Sequence, residues 1–294
     1  MFQLLPSSVL QLSTIFLSIV IEAIPFVLLG CLISGALHVF LTAERVKKII
    51  PKNSFLAVIV GSLLGFFFPS CECGIVPIVS QFIKKGVPNH TAFAFMVTAP
   101  IINPIVFFST FVALGNSMKL ALLRVGGSLL VALVIGTWIA YLHQGPILKE
   151  SDRKRHSHTH AHAEKSPIMS VFIHSIDEFF DTGRYLILGA LIAAGMQVYF
   201  PTQWMVGLAS SKILSILVML MLAFTMSLCS EADAFVGSSL LSLFGMNSVV
   251  GFLVFGPMVD IKNLMMMKHH FEAAFILQLL TIILLVVAFY AYLI

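Results

Sequence analysis

The chain has 294 residues, of which 59% are hydrophobic and only 10% charged, with a mean hydropathy of +1.02. Soluble globular proteins carry about 25% charged residues, so the composition excludes a soluble domain and indicates a polytopic membrane protein. The basic residues behind the net charge of +4 fall in loops, which argues against nucleic-acid binding, and four cysteines scattered through apolar sequence (Cys31, Cys71, Cys73, Cys229) are not a secreted disulfide framework.

The first predicted span covers about residues 9–41 and carries Glu22 and Pro25. It is too long for the apolar core of a cleavable signal peptide, and no Lys or Arg precedes it. Arg45, Lys47, Lys48 and Lys52 follow; positive residues mark the cytoplasmic side, so the N-terminus is expected outside. Two shorter apolar runs come next, residues 55–68 and 75–83, on either side of Pro69-Ser70-Cys71-Glu72-Cys73-Gly74. An ionised carboxylate at the bilayer centre costs about 2.5–3.5 kcal/mol. Backbone that leaves the helix at that depth survives only under a cover of protein or a watery cavity. Proline before and glycine after let the chain turn. This segment is therefore expected to be the tip of a hairpin inside the membrane, either re-entrant or a pair of tilted spans.

Lys84, Lys85 and His90 return the chain to the inside. A span over residues 91–114 is interrupted by Ala99-Pro100-Ile101-Ile102-Asn103-Pro104, where two prolines free backbone groups and break the helix. Residues 120–142 form the next span. A polar linker follows, with Lys149, Arg153, Lys154, Arg155 and Lys165, and the charge rule makes it cytoplasmic. It divides the chain into a first membrane repeat (1–142), a His-rich cytoplasmic linker (143–170) and a second membrane repeat (171–294). The second half has a span over residues 171–200, then a hairpin-like pair, 213–226 and 235–244, around Ser227-Leu228-Cys229-Ser230-Glu231-Ala232-Asp233. An outside loop is expected at Gly245-Met246-Asn247. The span beginning near Val249 contains Gly256-Pro257-Met258-Val259-Asp260, with Lys262, Lys268, His269 and His270 near its inner end. A last span, 273–294, leaves the C-terminus outside.

The halves match at a constant offset. Glu22 pairs with Asp181, Gly30 with Gly189, Glu72 with Glu231 and Gly86 with Gly245, each 159 residues apart; Pro100 and Asn103 then pair with Pro257 and Asp260 after a two-residue slip. Each half crosses an odd number of times, so the two are inverted, a recurring transporter design in which interrupted helices meet at the midplane. The expected fold is an all-α polytopic membrane protein of two inverted-topology repeats, each with a re-entrant or short helical hairpin and a Pro-broken helix, with about 8–10 membrane helices in all.

The segments SCECGIVPIV, GVPNHTAFAFMVTAPIINP, SEADAF and GPMVD resemble the ArsP/YraQ-type predicted permeases, over nearly the whole chain. The resemblance implies an integral membrane permease. Some members are linked to export of trivalent organoarsenicals through cysteine thiols, which on this chain points at Cys71 and Cys73.

Cys71 and Cys73 would point about 200° apart on a regular helix, but in an unwound tip both sulfurs can face one cavity. Soft thiolates suit zinc, monovalent copper and arsenic(III); the alternative is that a free cysteine packs as a small hydrophobe, which is the reading for Cys31. Glu72 and Glu231, with Ser230 and Asp233 on the second tip, offer oxygen ligands or carry protons, or else lock the hairpins by hydrogen bonding. Asn103 and Asp260 sit where unwound carbonyls coordinate cations, or cap the freed helix ends. Asp181 is expected to pair with Arg184, one turn away. His156, His158, His160 and His162 alternate along the linker; they form a borderline-metal capture loop for a transition metal, or a solvated linker.

The reading is a secondary-type permease in the cell membrane, moving a small inorganic solute, a thiophilic metal or metalloid species, through a midplane site. It is not an enzyme and needs no cofactor, and it lacks the GxxxxGK[ST] nucleotide motif. Its partners are the lipid bilayer and its solute, with no nucleic acid. The alternatives are a membrane subunit acting beside a partner membrane or soluble subunit, and a membrane thiol enzyme using Cys71 and Cys73.

Overall fold

The computed structural model describes residues 7–41, 50–68, 72–149, 167–199 and 211–294. Among these, the regular elements are helices. The first half has α1 (Ser7–Phe40), α2 (Ser54–Leu64, continued by a 3-10 turn Gly65–Phe67), α3 (Glu72–Lys84), α4 (Asn89–Ile102), α5 (Pro104–Ala113) and α6 (Met118–Tyr141). The second has α7 (Pro167–Tyr199), α8 (Lys212–Met226), α9 (Ser230–Phe255), α10 (Ile261–His270) and α11 (Ala273–Leu293). A lone antiparallel bridge joins Leu148 to Phe271.

Five of these helices, α1, α6, α7, α9 and α11, are long and apolar enough to cross a bilayer, and α4 with α5, bent by 42° at their junction, make a sixth when taken as one broken span. α2 and α8 are shorter and apolar. Leu17 and Ile21 on α1, Phe180 and Ile187 on α7, and Leu285 and Phe289 on α11 are exposed. Such outward faces are stable when the solvent is lipid.

The centre is built from two short helical stretches that are apolar all round, the pattern of a helix with no solvent face. α4 is buried from Thr91 to Ile102, and α9 from Ser248 to Phe255. α2 and α6 flank the first, and α8 and α11 flank the second. α1 and α7 pack along each other and cover α3 and α10. Glycines set these distances: a Cβ at Gly30 would stand 2.5 Å from the Gly74 carbonyl oxygen, and one at Gly189 2.9 Å from the Lys262 Cα. Small residues at such crossings are how membrane helices gain contact without a hydrophobic driving force.

Both halves run through one order of elements: a long helix, a short apolar helix, a tip, a helix, a positive-φ glycine, a central helix, a capped break, a short helix and a long helix. The glycines are Gly86 (φ 88°) and Gly245 (φ 77°). At the breaks the Asn103 side chain accepts a hydrogen bond from the Ile105 N–H (2.9 Å), and Asp260 accepts one from the Asn263 N–H (2.6 Å). The capping role weighed for both residues is thus present.

Two expectations change in detail. The first hairpin is splayed: α2 packs on α4 and α6, while α3 packs on α1, α4 and α10. The arms share α4 as a neighbour instead of lying together, because each finds a better apolar partner there. The loop expected at 245–247 is a kink at Gly245 within α9, since one residue with positive φ redirects the chain without coil.

A buried charged cluster at the broken helices

α3 and α9 start at the two tips, and their first turns carry acids: Glu72 on α3, and Glu231 and Asp233 on α9. A helix N-terminus stabilises negative charge through its free N–H groups. Glu72 and Asp233 are nonetheless fully inside the protein, at 2% and 1% exposure, while Glu231 is half-buried. α10 brings a cation to them. Its first turn carries Lys262, whose Nζ lies 3.7 Å from Glu72 Oε1 and 3.5 Å from Asp260 Oδ2. The Lys262 N–H donates to Ser227 Oγ (3.4 Å), where the chain leaves α8 in a left-handed conformation (φ 51°).

Arg124 supplies the second cation. It sits on α6, 1% exposed, and uses its planar fork of donors on three acceptors of two other helices. Nε donates to the Leu253 carbonyl (3.0 Å), Nη1 to Thr110 Oγ1 on α5 (2.6 Å) and Nη2 to the Ser230 carbonyl (2.9 Å). It therefore ties the first turn of α9 to its last turn and to the other half. Asp233, Glu231 and Glu72 all lie within electrostatic reach of its guanidinium.

The cluster is not self-sufficient. Among the described residues, Glu72 Oε1 and Oε2, Asp233 Oδ2, Asp260 Oδ2, Ser230 Oγ and Asn263 Oδ1 are buried without a hydrogen-bond partner. Buried polar atoms are nearly always satisfied, and exceptions ask for a reason. Three buried acids (Glu72, Asp233, Asp260) face two buried cations (Lys262, Arg124), so the ionised cluster carries surplus negative charge, and Glu231 adds to it. That arrangement can hold a cation, or protons, or both in turn.

Of the site residues read from sequence, Glu72, Ser230, Glu231, Asp233 and Asp260 gather here. Asn103 is buried and caps α5, and no hydrogen bond joins it to the charged group. Cys73 is buried in the first turn of α3. Cys229 caps α9, accepting from the Ala232 N–H (3.4 Å) and donating to Glu22 Oε1 (2.6 Å). Cys71 and the linker residues His156, His158, His160 and His162 lie outside the described residues. Among the described residues, no three His, Cys, Asp or Glu side chains are grouped to hold a metal ion. The expected Asp181–Arg184 ion pair is present at 2.5 Å.

Sequence reading misses Arg124 and Lys262. The charge rule alone puts Lys262 at the inner end of a span, yet it is 4% exposed and inside the cluster, because the break at Asp260 starts a new helix there. A signal for Arg124 does exist: a lone ionisable residue one turn into an apolar span is a functional candidate by default.

A relative from Streptococcus mutans, named "Putative two-component membrane permease complex subunit", is 51% identical over 280 residues, covering 94% of this chain and 92% of its own. The UPF0718 protein YcgR of Bacillus subtilis is 49% identical over 281 residues, covering 96% of both. No solved structure matches. The profile of the ArsP_1 family, described as a predicted permease, matches residues 8–294. The chain spans a membrane and belongs to the ArsP_1 predicted permease family.

Proposed function

We propose that the chain is a secondary-type transporter in which two inverted repeats alternate access to the charged cluster, and that its solute is a small thiophilic metal or metalloid species. The observation that carries this reading is the set of six buried oxygens around Glu72, Asp233 and Asp260 that lack a hydrogen-bond partner among the described residues, at the starts of interrupted helices. The matched order of elements in the two halves supports the repeats, and helices broken at a midplane site are the recurring form of such carriers. The surplus acid supports a cationic solute, or one exchanged against protons. A thiol at each tip, Cys73 beside Glu72 and Cys229 on the α9 cap, supports a thiophilic one. The linker histidines would serve as a capture loop.

The second reading is a membrane subunit that works beside a partner. The name of the Streptococcus mutans relative favours it.

One experiment addresses both. The purified chain is placed alone in liposomes and tested against a panel of metal ions and arsenite by elemental analysis of the vesicle contents. We expect uptake by the chain alone, lost at least about tenfold in both Glu72→Gln and Glu231→Gln with the folded protein intact. Unchanged uptake in both variants sinks the site. Absence of uptake until a partner is added establishes the second reading.

A further inference from the structure

A second polar group lies at the far ends of the same helices, and the charged cluster does not use it. His270 closes α10, and Ser80 and Gln81 lie near the end of α3. All three are buried, at 2%, 0% and 3% exposure. Glu178 reaches them from α7. Its Oε1 lies 3.9 Å from His270 Nε2, and its Oε2 accepts from Gln81 Nε2 at 3.4 Å. The other ring nitrogen of His270, Nδ1, lies 3.4 Å from Ser80 Oγ. The side-chain amide oxygen of Gln81, Oε1, is buried with no hydrogen-bond partner among the described residues.

We infer that Glu178 and His270, framed by Ser80 and Gln81, form a proton-binding site through which the chain couples transport to a proton gradient. The chemistry is that of an imidazole beside a carboxylate. Imidazole is the side chain whose ordinary titration falls between about pH 5 and 8. Ionised, the pair is neutral; with one proton more it carries a positive charge, and with one fewer a negative one. A separation of 3.9 Å is beyond a direct hydrogen bond, so a small helix movement decides whether the proton is shared.

Other charged and titratable groups stand on the elements around the pair. α3 brings Ser80 and Gln81, with Lys84 and Lys85 beyond them. α7 brings Glu178, with His174 and Asp177 before it and Asp181, paired to Arg184, after it. α1 brings Cys31, buried within electrostatic reach of Glu178. α10 itself brings Lys268 and His269, whose ring stacks on Tyr185. The segment before the linker brings Lys149, whose backbone N–H donates to the His270 carbonyl.

The two stations are mechanically joined. Eight residues of α10 separate Lys262 from His270, about 12 Å of helix, and nine of α3 separate Glu72 from Gln81, about 14 Å. α7 touches both, through Gly189 at Lys262 and Glu178 at His270. A shift of these helices that follows solute binding also changes the Glu178–His270 distance.

The coupling rests on the transport reading above; the proton site does not, and the test separates them. The full chain in phospholipid nanodiscs is stepped from about pH 8 to about pH 5 and followed by infrared difference spectroscopy. Glu178→Gln should remove a carboxyl band, and His270→Gln should remove an imidazole band and shift that same carboxyl band. His143→Gln should leave the carboxyl band and its position unchanged. Variant spectra that superpose on the unmodified chain overturn the proton site. In liposomes with arsenite or zinc as the probe, Glu178→Gln and His270→Gln should each lose pH-gradient-driven uptake about tenfold, since the driving protonation is removed, whereas His143→Gln should keep it. Gradient-driven uptake unaffected by the variants overturns the coupling. No uptake by the unmodified chain overturns the transport reading and the coupling together, while the infrared bands still decide the proton site.

Discussion

Arg124 shows how one side chain joins the two halves. Three donors go to three acceptors on α5 and on both ends of α9, a geometry only a guanidinium provides. Arg124→Lys keeps the charge but loses the fork, leaving acceptors stranded and the surplus acid less well opposed. Breaking a buried charged arrangement from one side costs about 3–5 kcal/mol. We expect Arg124→Lys to lower the thermal unfolding midpoint of the detergent-solubilised protein markedly, and a midpoint equal to that of the unmodified chain would contradict the tie described here. The acids were legible in the sequence because a carboxylate between apolar runs has few benign explanations. The cations were not, because Lys and Arg near span ends have a ready one in the interfacial charge rule, and only the fold shows that Lys262 and Arg124 point inward.

At the scale of the element, two kinds of glycine give opposite tests. Gly245 has φ 77° and ψ 168°, with open space where a Cβ would go. Gly30 has ordinary helical surroundings but would push a Cβ to 2.5 Å from the Gly74 carbonyl oxygen. Gly245→Ala therefore costs backbone strain, of order 1–3 kcal/mol, with no packing loss, whereas Gly30→Ala must separate α1 from α3. Gly245→Ala should lower stability yet leave a crosslink between cysteines placed on α1 and α3 unchanged; Gly30→Ala should weaken that crosslink. The breaks at Asn103 and Asp260 were legible from their prolines and polar caps, and both residues do cap. The splay of α2 from α3 was not, since two apolar runs around a turn read alike whether they pack on each other or on a third helix. Nor could the sequence show that α10 is a helix of its own; its first turn looks like the tail of the preceding span.

For the whole molecule, composition alone identified a polytopic membrane protein, and the family match and the helices agree. The offset of 159 residues also led to the observed recurrence of elements, because acids and positive-φ glycines are few enough in such a chain to make their spacing informative. Orientation has a direct test. The charge rule predicts residues 143–170 on the cytoplasmic side and both termini outside, so reporter fusions at the linker should be active only for a cytoplasmic reporter, and fusions at either terminus only for an external one. An odd number of crossings between linker and C-terminus is required, and an even number would end the inverted arrangement.

The bridge between Leu148 and Phe271 acts as a leash. It fastens the chain leaving the first half to the foot of α10, with the Lys149 N–H on the His270 carbonyl at 3.1 Å and the Glu272 N–H on the Ile147 carbonyl at 2.9 Å. Any pull on the chain beyond Lys149 is thus passed straight to the end of α10, where His270 stands, so that the join between the halves also bears on the buried Glu178–His270 pair.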